Sequence, residues 1–146
     1  MTNQAAQQPR PAPNARSEAL GLTLELPVPP SANRWHRKFR NRTVLSDEAK
    51  AYTQDITALM ANLFSRSRPR VVAPAFRTET LKVEIRWYRK QRSGDVDKRG
   101  AILLDALQGL AYVDDKQIAD YRIVRDDSQP KHARMVVTIQ PIKEAA

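Results

Sequence analysis

Eight consecutive residues, Leu81-Lys82-Val83-Glu84-Ile85-Arg86-Trp87-Tyr88, alternate large apolar side chains with charged or amphipathic ones. A period of two demands an extended strand with one buried face, because a helix would scatter those apolar residues around its circumference. This strand runs directly into Arg89-Lys90-Gln91-Arg92-Ser93-Gly94 and then Asp95-Val96-Asp97. From about Lys98 to Leu110 the residues Leu103, Leu104, Leu107 and Leu110 recur along one side of a predicted helix. A buried strand, an acidic corner and an amphipathic helix therefore stand in direct succession.

The remaining elements follow from the same two periods. Leu20, Leu22, Leu24 and Leu26 alternate with Gly21, Thr23 and Glu25, a strand ended by Pro27, Pro29 and Pro30. Ser46 is an N-cap, with Asp47 and Glu48 where the helix dipole favours acids. From there Ala49, Tyr52, Ile56, Leu59, Met60, Leu63 and Phe64 mark one face of a helix ending near Ser65. Pro69 and Pro74 bracket a connector, and short strands are predicted over 117–125 and 133–140. The order strand, helix, strand, helix, strand, strand implies an α+β fold, a small mixed sheet with two main helices packed on it. At 146 residues the chain has room for one domain. We place it at 19–142, after a leader over 1–18 too poor in large apolar residues to order itself, and before a short tail at 143–146.

Charge then narrows the chemistry. Lys plus Arg number 25 against 16 acids, a formal charge of +9, which suits a binder of phosphate backbones as well as a merely basic soluble protein. Against that balance, Asp95 with Asp97 and Asp114 with Asp115 form two tight acidic pairs. Crowded carboxylates raise one another's pKa, and a hard divalent cation neutralises them. In an extended segment Asp95 and Asp97 point the same way, and the Asp114-Asp115 turn is expected to come near them if the second helix packs back on the sheet. The competing reading is that these aspartates cap helices and turns. Cysteine is absent, which removes disulfides and thiolate metal sites, and His36 and His132 lack a second histidine at a zinc spacing. With no apolar run of membrane-spanning length and no signal-peptide core, a cytoplasmic protein is expected.

The basic stretch Asn33-Arg34-Trp35-His36-Arg37-Lys38-Phe39-Arg40-Asn41-Arg42 has no apolar periodicity and is expected to be a loop. Either Trp35 and Phe39 stack on unpaired bases while Arg34, Arg37, Lys38, Arg40 and Arg42 bind phosphates, or the aromatics enter the core and the cations face solvent. A split, one aromatic inside and one near DNA, is the expected outcome. Arg89, Lys90 and Arg92, just before the acids, are further candidates for phosphate contact.

Four blocks now stand together: Leu26-Pro27-Val28-Pro29-Pro30-Ser31-Ala32-Asn33-Arg34, Gly94-Asp95-Val96-Asp97, Leu104-Asp105-Ala106-Leu107-Gln108-Gly109 and Val113-Asp114-Asp115-Lys116-Gln117-Ile118. In this order they resemble the RusA family of Holliday-junction resolvases. The resemblance implies a homodimeric, Mg²⁺-dependent endonuclease, with Mn²⁺ as a substitute metal. It implies a branched-DNA partner, no membrane, and a place in DNA recombination and repair, in bacteria or phages. It further implies that the four-way junction is nicked symmetrically to leave ligatable 5′-phosphate and 3′-hydroxyl ends. Its essential acids fall on Asp95, Asp97 and Asp115, with Asp114 as their neighbour among the metal ligands.

The chain departs from the family where a lysine is usual, at Ala101, and where an asparagine is usual, at Lys98. Positions 98 and 101 share a helix face, so Lys98 is expected to supply the missing ammonium, with Arg92 nearby. The alternatives are a weakened or inactive junction binder and a broader nuclease for flaps and forks. Gly100, which costs a helix about 1 kcal/mol relative to Ala, is expected to admit a phosphate backbone or a partner subunit. The apolar side of the 98–110 helix either contributes to the dimer, as expected, or is ordinary core.

Overall fold

A computed structural model describes residues 21–68, 70–90 and 96–142, with positions 96 and 97 entering through their backbone. The expected leader over 1–18 and tail over 143–146 lie outside these residues. The elements in chain order are β1 (Leu22–Leu26), β2 (His36–Phe39), β3 (Arg42–Leu45), α1 (Asp47–Arg66), β4 (Leu81–Tyr88), α2 (Val96–Leu107), β5 (Ile118–Asp126) and β6 (Arg134–Pro141). Four strands form a mixed sheet in the order β1-β6-β4-β5, and β2 pairs with β3 alone.

β4 owes its central place to its alternation. Leu81, Val83, Ile85 and Trp87 are buried, and they meet Met135, Val137 and Ile139 of β6 and Leu22, Leu24 and Leu26 of β1 in one core. Each such side chain contributes about 1.5–3 kcal/mol when fully buried. β4 runs antiparallel to β6 and parallel to β5. A parallel neighbour requires a crossover, and α2 supplies it. The opposite face of β4 carries polar residues, among them Arg86, which pairs with Asp126 of β5 at 3.1 Å.

α1 sits where the periodicity placed it, whereas α2 ends at Leu107, short of the expected Leu110. Ser46 caps α1 by accepting a hydrogen bond from the Ala49 amide at 3.1 Å. Ala49, Tyr52, Ile56, Met60 and Phe64 are buried, whereas Leu59 is exposed. In α2, Ile102, Leu103, Ala106 and Leu107 join the same core. The apolar side of α2 is thus largely ordinary core, with Leu104 and Leu110 partly buried beside it.

The basic stretch is the other correction. It folds as a β-hairpin rather than a loop, with Arg37 opposite Val44, Lys38 opposite Thr43 and Phe39 opposite Arg42. Arg40 and Asn41 form its turn with φ of 51° and 64°. Positive φ at both central residues is the geometry whose twist matches a two-residue hairpin. Periodicity could not reveal these strands, because neither has a buried face: nearly every residue in them is exposed.

Candidate active site and basic hairpin

The acidic turn is assembled by hydrogen bonds from two glutamines. The Gln117 side-chain oxygen accepts from the Val113 amide at 2.9 Å and the Asp114 amide at 3.0 Å. Its amide nitrogen donates to the Glu79 carbonyl at 3.0 Å and the Phe76 carbonyl at 3.4 Å. All four hydrogen-bonding positions of a primary amide are thereby used, and the turn is fastened to the segment just before β4. The Gln108 side chain, at the end of α2, accepts from the Asp115 amide at 3.1 Å. Asp114 caps the single 3-10 turn Asp115–Gln117, accepting from the Lys116 amide at 2.9 Å.

The two aspartates are therefore unequal. The Lys116 amide holds the Asp114 carboxyl below the ordinary carboxylate range. Asp115 is pushed above that range, first by its hydrogen bond with Asp114, then by desolvation and by the Asp114 and Asp105 charges. Asp114 serves as a cap, as the structural reading of this turn expected, and Asp115 carries the electrostatic tension. Beneath them the Tyr112 hydroxyl donates to the Leu104 carbonyl at 2.6 Å. Burial, then Asp115, Asp105 and Tyr121, raise the pKa of that phenol.

Asp105 and Tyr121 are site neighbours that the sequence reading did not single out. Positions 97, 101 and 105 are spaced by four and lie on one stripe of α2. Ala101 and Asp105 are exposed there, with Lys98 on the same side. The spacing of Asp105 from Asp97 and Ala101 was a readable signal. For Tyr121 the one hint was Gly100. A methyl group at Gly100 would collide with the Tyr121 hydroxyl and stand 2.9 Å from Ile123 Cδ1. A close approach at Gly100 is made by β5 of the same chain.

Asp95 and Arg92 lie outside the described residues, and Asp97 is placed only as a backbone position in the first turn of α2. Eight residues separate positions 97 and 105, about 12 Å of rise at 1.5 Å per residue. Positions 97 and 105 consequently stand toward opposite ends of α2, with Ala101 between them. Among the described residues no group of three acidic or histidine side chains is close enough to hold a metal by itself. The donor chemistry still fits a hard divalent cation: every candidate is a carboxylate, and Asp115 is the group whose crowding such an ion would relieve.

The predicted DNA contacts divide sharply. Asn33 and Arg34 are exposed on a 3-10 turn, and Arg37, Lys38, Arg40 and Arg42 are exposed on the hairpin. Trp35 is buried and packs edge-on against Tyr52, with ring centroids 6.2 Å apart. It anchors the hairpin in the core and is not offered to a base. Arg89 is also turned inward, at 6% exposure, and binds Asp127 through Nε at 2.8 Å and a second nitrogen at 2.9 Å. Its position beside the acids suggested phosphate contact, but its guanidinium instead clips β4 to the end of β5. Lys90 is exposed. Arg99, not singled out in the sequence, donates to the Pro29 carbonyl at 2.7 Å and lies over Trp87, tying α2 to the proline segment before the hairpin.

Residues 26–140 match the family model described as Endodeoxyribonuclease RusA. The chain is 30% identical over 105 residues to the crossover junction endodeoxyribonucleases RusA of Escherichia coli (strain K12) and Shigella sonnei (strain Ss046). Each alignment covers 70% of this chain and 81% of the relative. The protein of the same description from Enterobacteria phage 82 is 31% identical over 104 residues, covering 70% of this chain and 80% of its own. A mixed sheet whose crossover helix is flanked by acids, in a strongly basic chain, is here an endonuclease. The chain belongs to the RusA family of endodeoxyribonucleases.

Proposed function

We propose that this protein is a Mg²⁺-dependent endonuclease that resolves four-way DNA junctions by paired symmetric nicks, acting as a homodimer in the cytoplasm. The observation that carries this reading is the acidic turn: a basic chain holds Asp115 beside Asp114, with the Asp105 charge in range, and fixes the turn with two glutamine side chains. Such an arrangement costs folding energy unless a cation and a phosphate complete it. The names of the relatives support four-way junctions as the substrate.

In this reading Asp95, Asp97 and Asp115, with Asp114 adjacent, would hold one or two Mg²⁺ ions. When bound, the metal lowers the pKa of a water and stabilises the leaving oxygen of an in-line displacement. Gln117 and Gln108 keep the Asp115 backbone fixed, so little reorganisation is needed when the phosphate arrives. Lys98 supplies the positive charge that the family places at the position of Ala101. Arg34, Arg37, Lys38, Arg40 and Arg42, with Asn33 and Lys90, bind the DNA backbone on either side. Two-fold symmetry of a dimer matches the near two-fold symmetry of a junction and accounts for paired cuts.

Ala101 favours one competing reading, a junction binder that has lost cutting. Cleavage of a synthetic four-way junction separates the two, with linear duplex and flap controls, in Mg²⁺, Mn²⁺ or EDTA, for wild type and Asp97→Asn. Symmetric metal-dependent nicks that vanish in the variant are expected, and Lys98→Ala should then slow cutting. Tight junction binding without nicks in either metal refutes the nuclease reading of this chain.

A further inference from the structure

The tip of the β2–β3 hairpin carries an aromatic ring in a setting that neither a core nor a simple phosphate-binding arm explains. Phe39 is 48% exposed. Arg37 lies two residues earlier on the same face of β2, and its Cζ is 5.6 Å from the ring centroid. Arg40, in the turn, brings its Cζ to 5.3 Å. Arg42 is the cross-strand partner of Phe39, so two guanidiniums lie against one exposed ring and a third arginine stands opposite it in register. The base of the hairpin is held firmly: Trp35 is buried, the Ser46 amide donates to the Trp35 carbonyl at 3.0 Å, and the Ser46 hydroxyl donates to the Arg34 carbonyl at 2.5 Å. Among the described residues the tip has no such buried anchor. An isolated two-stranded ribbon is marginal in water, and crowding guanidiniums at its end weakens it further.

A partner that rewards this tip needs dense negative charge and a flat aromatic face together. An apolar protein surface would desolvate three guanidiniums without pairing them. DNA offers both, but not everywhere. In a continuous duplex the faces of the bases are covered by their neighbours, whereas at a branch point stacking is interrupted and base faces are open. We propose that the hairpin tip is the branch-sensing element of this nuclease: Phe39 stacks on a base exposed at the branch point while Arg37, Arg40 and Arg42 bind the converging phosphates. This rests on the junction reading above and adds to it the residue that distinguishes a branched substrate from a duplex.

The full-length protein is tested in EDTA, so that cutting does not intervene, against a four-way junction and a duplex of the same arm sequence. Phe39→Leu keeps an apolar side chain of similar bulk without a π face, and Phe39 is exposed, so the fold is retained. It is expected to weaken junction binding about tenfold and duplex binding less than about twofold. Phe39→Tyr restores the preference. A 2-aminopurine placed at the branch point is expected to lose fluorescence on binding wild type and to keep it with Phe39→Leu. Arg42→Ala, in contrast, weakens both DNAs together and lowers the salt dependence by about one ion. Equal loss on junction and duplex would make Phe39 only a platform for its arginines and overturn the proposal, as would no loss on either. A wild type with no preference for the junction removes the junction reading and this inference with it. A preference that survives Phe39→Leu removes this inference alone.

Discussion

Substituting Gly100 by Ala sets two effects of similar size against each other, and the packing of α2 on β5 decides between them. In an open helix Ala is favoured over Gly by about 1 kcal/mol. Here the added methyl meets the Tyr121 hydroxyl and stands 2.9 Å from Ile123 Cδ1 and 3.3 Å from Tyr121 Cζ. Forcing an extra methyl into a filled space costs about 1–3 kcal/mol. Tyr121 is 39% exposed and the collision is with the far end of its side chain, so the lower part of that range applies. The expected result is a net loss of about 0.5–1 kcal/mol, read as a lower urea midpoint at unchanged slope. Tyr121→Ala removes the collision with the phenol and leaves only the flexible end of Ile123 at 2.9 Å, so in that background Gly100→Ala should recover much of the helix gain. The coupling in the double-mutant cycle is then about 1.5 kcal/mol. If Gly100→Ala stabilises the wild-type protein by the full increment and the coupling stays below about 0.5 kcal/mol, the Gly100–Tyr121 contact does not exist in solution.

Gln117→Ala deletes four hydrogen bonds at the acidic turn and should cost about 2–3 kcal/mol; Gln117→Glu, which sets an anionic oxygen against the Glu79 and Phe76 carbonyls and adds a charge beside Asp114 and Asp115, should cost at least as much. If the turn positions Asp115 for metal, isothermal titration of Mn²⁺ into the Gln117→Ala protein will also show weakened binding, while junction affinity in EDTA is unchanged. Arg89→Ala leaves Asp127 facing an empty clip between β4 and β5. Asp127 is a third exposed, so the loss should be about 2 kcal/mol, below the range for fully buried pairs, and thermal unfolding will measure it. The Asp126 carboxyl is held below its ordinary 3.8 by hydrogen bonds from Ser128 and by Arg86. A depressed folded pKa gives stability that is present above 3.8 and lost as pH falls through the lower folded value. Urea midpoints between pH 5 and pH 2.5 should accordingly fall less steeply for Asp126→Asn than for wild type.

Much of this architecture was legible as pattern. Buried faces repeat every two residues in β4 and at helical spacing in α1 and α2, because water rejects apolar surface in a fixed geometry. Ser46 announced the start of α1 for an equally local reason. The four sequence blocks carried the family, and the match over residues 26–140 agrees with them. The hairpin was invisible because its strands bury no face and leave no alternation to read. Arg89 and Trp35 were legible only as a cation and an aromatic near other cations.

Composition and local order by themselves determined that the chain makes a basic α+β domain with a strand and an acidic motif leading into a helix. Which charges face outward was decided by partners distant in sequence. Asp127, 38 residues away, turns Arg89 inward. Tyr52 helps draw Trp35 into the core, leaving Phe39 outside. Gln117 reaches back 38 and 41 residues to fix the acidic turn against the approach to β4. Hydrogen bonds and ion pairs have no sequence period, so only the closed sheet and its crossover helix could bring these groups together.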